Sequence, residues 1–401
     1  MGGYFVRIRV KYALIAAMVL ATVPAVAQQA APAPTLVAGS EVKIESLIEA
    51  KWVQGDPLKA FEPGKIYMFE CWATWCGPCI ASIPHINELH KKFYDKGLRL
   101  YGMSIWEDDY AKVENFVKAK GEGMSYPVAF TGRGSSFEIN WLKPAGVNSV
   151  PCALIVKDGK LVLRSRFLNV TDDLIEALLA GGETSQKAIT EFENGEKTAE
   201  KIMALIREFS LASQKSDAAA MEKILVEIEK TDPNMMQLPM MKIDILMVRK
   251  EFAAAIKMLE ELPDPQQRQM TSSMMAGKIA SEKDSDAYPV DFVKTIVKDQ
   301  EKISALQNPV GLVTLSNLQW RVGDKEAALK SANSAVTAVK DPTARKFPVA
   351  PFEKFAKSVE DGTMPAMAEF SQWMTAELKA AHLAKQAAPA TPVAPAAPAV
   401  K

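Results

Sequence analysis

The chain of 401 residues is poor in the groups that carry most enzymatic chemistry. It has four cysteines, Cys71, Cys76, Cys79 and Cys152, too few for a disulfide scaffold. Its three histidines are His85, His90 and His382. A structural zinc site needs four ligands at compatible spacing, and there is no second C-x-x-C to supply them. His85 follows Cys79 by about one and a half helical turns, a poor direction for chelation. A copper-delivery site would want a wider cysteine spacing and a distal histidine, and neither is evident. No metal or cofactor is called for. Formal net charge is zero, which removes any whole-chain argument for nucleic acid or a polyanionic partner. Beyond the N-terminal stretch, no segment is long and apolar enough to span a membrane, which takes about 20 residues.

What is present is 48% apolar and 24% charged, as in a soluble globular protein. The length exceeds one ordinary core, so two domains are expected. The N-terminus has the parts of a signal peptide. Arg7, Arg9 and Lys11 form a basic start, Ala13 to Val23 is apolar but short, and Ala25 and Ala27 stand in the A-x-A arrangement of a cleavage site. Cleavage after Ala27 is expected, with an uncleaved anchor as the alternative. The protein is then expected outside the cytoplasmic membrane, in the periplasm, where cysteines signal redox chemistry first.

An Ala/Pro linker follows over 28–38. Strands and helices then alternate from about Gly39 to Ala180. "KIYMFECWA" (Lys65–Ala73) and "LRLYGMSIW" (Leu98–Trp106) read as strands. Pro78–Lys96 and Ala111–Lys120 read as helices. "CALIVKDGKLVLRSRF" (Cys152–Phe167) reads as a hairpin turning at Asp158-Gly159, and Asp172–Ala180 as a closing helix capped by Thr171. An α/β domain is expected.

Beyond "AGGETSQ" at Ala180–Gln186 the texture becomes helical to about 385. Ser216–Asn234, Lys250–Pro265 and Gly323–Pro342 look alike, the first two offset by roughly the 34-residue tetratricopeptide period. This region resembles degenerate tetratricopeptide repeats, with an irregular helical bundle as the alternative. Met235, Met236, Met240, Met241, Met247, Met270, Met274 and Met275 gather there. Core packing is their ordinary role; an adaptable apolar client surface or a soft copper(I) site are the sharper ones. The final "KQAAPATPVAPAAPAVK" has no helical or strand period and reads as a disordered tail, 386–401.

The chemistry concentrates in "FECWATWCGPCIASIPHI", Phe69–Ile86. Cys76 falls where a strand ends, and Pro78 suits the first turn of a helix. A thiol at a helix N-terminus meets unpaired N–H groups, which favour the thiolate and make it a nucleophile. Cys79, one turn in, is within reach and more buried. Cys76 is then the attacking thiol and Cys79 the resolving one. A purely structural bridge is disfavoured, since so short a loop gives little entropic stabilisation.

"WATWCGPC", with Pro84 five residues on and "GVNSVPCALIVKDGKLV" later, resembles the thioredoxin superfamily, and most closely its TlpA/ResA-type periplasmic thiol-disulfide oxidoreductases. The resemblance implies a thioredoxin-like domain over 39–183, a central sheet flanked by helices on both faces, with the all-helical domain over 184–385. By resemblance Trp75 flanks the nucleophile on the substrate side, and Gly77 and Pro78 form the active-site turn. Val150-Pro151 matches the loop whose cis proline exposes backbone for pairing with a substrate chain. Glu70 takes the place of a buried acid that accepts the Cys79 proton through water. The Gly-Pro dipeptide matches reducing members. That implies protein disulfide substrates, reduced or isomerised, and a membrane electron donor of the DsbD or CcdA kind.

Cys71 and Cys152 depart from the family pattern. The fold implies that their strands are neighbours, so the two thiols are expected to approach each other beneath the active site. They read either as small buried hydrophobes or as a second redox pair. The helical domain carries no catalytic constellation; it is expected to hold a client or a second copy of the chain. The rival reading of the whole is a helical client-binding scaffold or chaperone whose thioredoxin-like domain is mainly structural.

Overall fold

The computed structural model describes residues 33–165, 169–284, 287–303, 308–341 and 347–387. The expected signal peptide and the start of the linker lie outside these residues. So does the expected tail from 388 on, while its first two residues complete a helix, Met367–Ala387. None of the described helices is long and apolar enough to cross a membrane.

Two compact units divide the chain between Met203 and Ala204. The division falls inside a long helix, α4 (Gly182–Gln214), which begins near the boundary that the sequence suggested at 183/184.

The first unit is built on a six-stranded sheet in the order β1-β4-β3-β2-β5-β6. The strands are β1 (Lys51–Gln54), β2 (Ile66–Trp72), β3 (Leu98–Ile105), β4 (Val128–Gly132), β5 (Cys152–Lys157) and β6 (Lys160–Ser165). β2, β3 and β4 run parallel, while β1, β5 and β6 pair antiparallel to their neighbours. Every residue of β2 is buried, as a central strand covered on both faces requires. The β5–β6 hairpin turns through Asp158 and Gly159, both at positive φ (49° and 73°), the geometry that a two-residue Asp-Gly turn favours.

Side chains alternate across β2 and feed two core layers. Ile66, Met68 and Trp72 pack with α1 (Gly77–Phe93), α2 (Tyr110–Lys120) and α3 (Asp172–Ala180) through Ile83, Ile86, Leu89, Val113, Leu174 and Ile175. Tyr67, Phe69 and Cys71 pack on the other side against Leu47, Phe137, Trp141 and Leu142. That second layer is closed by short helical turns, Ile44–Leu47 and Glu138–Leu142, rather than by long helices. Thr171 caps α3 as the sequence suggested, accepting from the Leu174 N–H at 3.3 Å.

The second unit is helical throughout its described residues. After α4 come α5 (Ala218–Thr231), α6 (Leu238–Val248), α7 (Phe252–Glu260), α8 (Pro265–Ser281), α9 (Val290–Lys302), α10 (Pro309–Arg321), α11 (Lys325–Lys340), α12 (Ala350–Glu360) and α13 (Met367–Ala387). The three look-alike segments become α5, α7 and α11, each entered through the same turn. Ser216, Lys250 and Gly323 take positive φ. The acidic residue after each donates its N–H to a carbonyl five residues back: Asp217 to Ala212 (3.0 Å), Glu251 to Leu246 (2.8 Å) and Asp324 to Gln319 (3.0 Å). This is the Schellman closure of one helix leading straight into the next. A fourth such turn follows α12, where Gly362 has φ 82° and Thr363 donates to Ser358 at 2.8 Å.

Half of the eight singled-out methionines are buried. Met235, Met241, Met247 and Met275 are buried, while Met236 and Met270 are exposed. Asp244 on α6 pairs with Lys278 on α8, and Ser213 on α4 donates to Asp244 at 2.7 Å.

Candidate active site

β2 delivers the chain to the Ala73–Trp75 loop, and Cys76 then caps the N-terminus of α1. Cys76 has extended backbone (φ −86°, ψ 95°), and its Sγ accepts from the Cys79 N–H at 3.2 Å. Pro78 occupies the first turn, where a missing N–H costs nothing. Cys76 and Cys79 are joined by a disulfide, with Cα atoms 5.2 Å apart. Cys76 is 4% exposed and Cys79 not at all. Trp75 beside them is 54% exposed, and Gly77 and Pro78 also face solvent. Reduction would therefore leave one thiol at a helix terminus near the surface and one inside.

The Val150–Pro151 peptide is cis. Both residues are half-buried, and Val150 packs against the layer that holds Cys76 and Cys79 as well as the opposite layer. β5 begins at the next residue.

Glu70 lies on the α1 side of β2, between Met68 and Trp72 in the alternation. It is fully buried, and neither carboxyl oxygen has a hydrogen-bond partner. Burial alone pushes its pKa up to about 8. Opposite it in register stands Gly102 of β3. A Cβ at Gly102 would sit 2.8 Å from Tyr126 Cε2 and 3.2 Å from Trp72 Nε1. The missing side chain thus admits the Tyr126 ring and the Trp72 indole N–H beside the carboxyl. The Tyr126 hydroxyl and Trp72 Nε1 are themselves buried without partners. The Tyr126 phenol is held well above its usual range, by burial first and by the Glu70 charge second. Four orphaned buried polar atoms on three side chains thus gather on the sheet face that also packs Cys79. His90 of α1 meets Tyr126 edge-on at 6.1 Å, and burial lowers its pKa.

Glu107 was not singled out in the sequence. It follows β3 and is 4% exposed. Its Oε1 accepts from both the Thr74 N–H and the Thr74 hydroxyl, each at 2.5 Å, and Lys112 Nζ lies 3.8 Å from Oε2. It therefore anchors the loop that presents Trp75 and Cys76. The run Glu107-Asp108-Asp109 at the end of a strand was the only available signal.

Cys71 and Cys152 face each other across β2 and β5. Both are buried and unbridged. They belong to the second core layer, with Phe69, Met103 and Trp141, whereas Cys76 and Cys79 belong to the first. The expected approach is present, but on the sheet face away from Cys79, because β2 alternates between Glu70 and Cys71. His85, the third group near the pair in sequence, bonds the Val170 carbonyl through Nε2 at 2.8 Å. Among the described residues no cluster of three or more His, Cys, Asp or Glu side chains suits a metal.

Residues 56–172 match the Redoxin family model. The thiol-disulfide oxidoreductase ResA of Bacillus thuringiensis subsp. konkukian is 35% identical over 122 residues, 30% of this chain and 65% of that protein. The N-terminal unit has a thioredoxin-like fold and is similar in sequence to ResA-type thiol-disulfide oxidoreductases. The thiol:disulfide interchange protein HelX of Rhodobacter capsulatus is 28% identical over 156 residues, covering 37% of this chain and 80% of HelX. Among solved structures, StoA from Bacillus subtilis is 18% identical with a TM-score of 0.26, covering 33% of this chain and 90% of StoA. The chain spans just under two thirds of the ResA sequence it matches.

Proposed function

We propose that the protein is a thiol-disulfide oxidoreductase that reduces or isomerises disulfides of protein substrates outside the cytoplasmic membrane. The observation that carries this reading is Cys76 at the N-terminus of α1, bonded to Cys79, with an orphaned carboxyl on the same face of β2. In the reduced protein the Cys76 thiolate attacks a substrate disulfide. One substrate sulfur leaves as a thiolate, and a mixed disulfide forms. Cys79 then attacks Cys76 Sγ, restoring the Cys76–Cys79 bond and releasing the second substrate thiol. Cys79 is fully buried and must lose its proton in that step. Glu70, with a pKa of about 8, is poised to take it near neutral pH through water. Trp75 and the Val150 backbone before the cis proline would receive the substrate chain.

Two electrons leave with each substrate reduced. A membrane donor of the DsbD or CcdA kind would restore the dithiol. The four matching turns of the second unit support reading it as degenerate tetratricopeptide-like repeats, a scaffold suited to holding a protein client or a second copy.

Insulin reduction tests the activity. Wild type should reduce insulin in the presence of a chemical reductant, and Cys76→Ser should not. Equal rates for the two proteins would refute the reading. A Cys79→Ser variant should accumulate a covalent mixed disulfide with its substrate in cells. Absence of any covalent partner would favour the scaffold alternative.

A further inference from the structure

We propose that Cys71 and Cys152 are a second redox couple: a cross-strand dithiol that a disulfide oxidant converts into a bridge between β2 and β5. The register carries the inference. Cys71 pairs with Cys152 in an antiparallel ladder that is continuous from Ile66–Lys157 to this point. Directly opposed residues in such a ladder have Cα atoms about 4.5–5.5 Å apart, inside the roughly 4.4–6.8 Å that a disulfide spans. Both side chains enter the same core layer, and their thiols contact each other. The Cys71 Sγ also donates to the Phe69 carbonyl at 3.9 Å. A bridge would replace a thiol–thiol contact without moving either strand out of register.

The step balances without a cofactor. Two thiols lose two protons and two electrons and form one sulfur–sulfur bond. The oxidant, a low-molecular-weight disulfide such as oxidised glutathione, is reduced to two thiols. The Cys76–Cys79 disulfide is not in position to act as that oxidant within the folded molecule, because it sits in the other core layer. The couple is therefore separate from the proposed catalytic one.

Burial sets the rate. Cys71 is fully buried and Cys152 2% exposed. The neighbouring thiol and burial both push Cys71 up, so thiolate is scarce while the sheet is closed. β6 is an edge strand and β5 lies next to it. Peeling the β5–β6 hairpin from β2 exposes both sulfurs at once, so oxidation should follow local opening rather than global unfolding. Once formed, the bridge ties the strand that leads to Cys76 to the strand that follows Pro151.

The test counts thiols in the full chain. Fully reduced protein is exposed to oxidised glutathione at several guanidinium concentrations below its unfolding transition, then acid-quenched, denatured and alkylated. Four tags should fall quickly to two as Cys76 and Cys79 pair. They should then fall slowly to none, and this second phase should accelerate as denaturant rises. In a Cys76→Ser/Cys79→Ser variant, the peptide bearing Cys71 should be recovered disulfide-linked to the peptide bearing Cys152. Two tags persisting at every sub-denaturing concentration would overturn the proposal. So would capture of the second pair only as glutathione mixed disulfides, or a bridge that forms only after global unfolding. The wild-type count, read together with the intact mass, which shows whether glutathione has been added, decides the matter even if the variant does not fold.

Discussion

The buried carboxyl of Glu70 ties the proposed chemistry to stability and yields the sharpest prediction, for Glu70→Gln. In the fold its pKa is about 8, against an ordinary 4.5, and desolvation is the whole cause. A carboxyl whose folded pKa lies above its unfolded value binds its proton more tightly in the native state. Its contribution is fully present below pH 4.5 and is lost as pH rises toward about 8. At about 1.4 kcal/mol for each pH unit between those limits, the loss is on the order of 5 kcal/mol. That is a large part of a typical domain's stability of about 5–15 kcal/mol. Glutamine has the same shape and no charge to desolvate, so the variant should not lose this stability.

The assay is denaturant unfolding of the thioredoxin-like domain in the intact chain, from pH 5 to 9. The Cys76–Cys79 disulfide is kept closed so that no thiol of the pair titrates. Between pH 5 and 8 wild type should lose stability steadily relative to Glu70→Gln, while the opposite contribution of His90, whose pKa is lowered by burial, is common to both proteins. The variant's absolute stability at pH 5 carries an offset of about 1–3 kcal/mol, because its amide must also find partners beside Tyr126 and Trp72. The slope, not the level, is the readout. Equal slopes in the two proteins would refute the picture of an unpartnered, desolvated carboxyl. The same variant should slow release of the mixed disulfide about a hundredfold or more near neutral pH, since it removes the proton acceptor for Cys79.

Gly102→Ala should destabilise the thioredoxin-like domain by about 1–3 kcal/mol in thermal melts, because its Cβ would press on Tyr126 Cε2 at 2.8 Å. Glu107→Ala removes both bonds to Thr74 and should cost about 2–3 kcal/mol in denaturant unfolding. It should also lower insulin reduction, and Glu107→Gln, which keeps a carbonyl acceptor, should recover part of the activity. Asp244→Ala leaves Lys278 half-buried with only Ser213 beside it, so the helical unit should lose about 1–3 kcal/mol. Insulin reduction at low temperature should be unchanged.

What the sequence could and could not show follows from how far apart the determining groups lie. The run into Cys76, the helix after it, the β5–β6 turn and the Thr171 cap are all local, and each was readable from a few adjacent residues. β1 and β4 were not. β1 has four residues, none of them buried, and is a strand because Lys51 lies opposite Phe130. β4 is short, and pairs with a β3 residue 26 positions earlier at Val128. Neither strand has enough alternation of its own to reveal the partner. Glu107 shows the same limit in the site: its role exists only because Thr74, 33 residues away, turns its N–H and hydroxyl toward one carboxyl oxygen. The look-alike helical segments show a subtler one. Of the turns that enter α5, α7 and α11, only that at Gly323 carries the residue type expected at positive φ, while Ser216 and Lys250 hold the same conformation without glycine. The common sequence trace was instead the acidic residue that follows, Asp217, Glu251 and Asp324. Asp217 and Asp324 cap the next helix through their side chains, whereas Glu251 makes no such bond and keeps only the backbone closure to Leu246. The turn is therefore held by the backbone closure common to all three, and the side chains that mark it in sequence are accessories. That is why the likeness of the three segments was faint in the residues and clear in their turns.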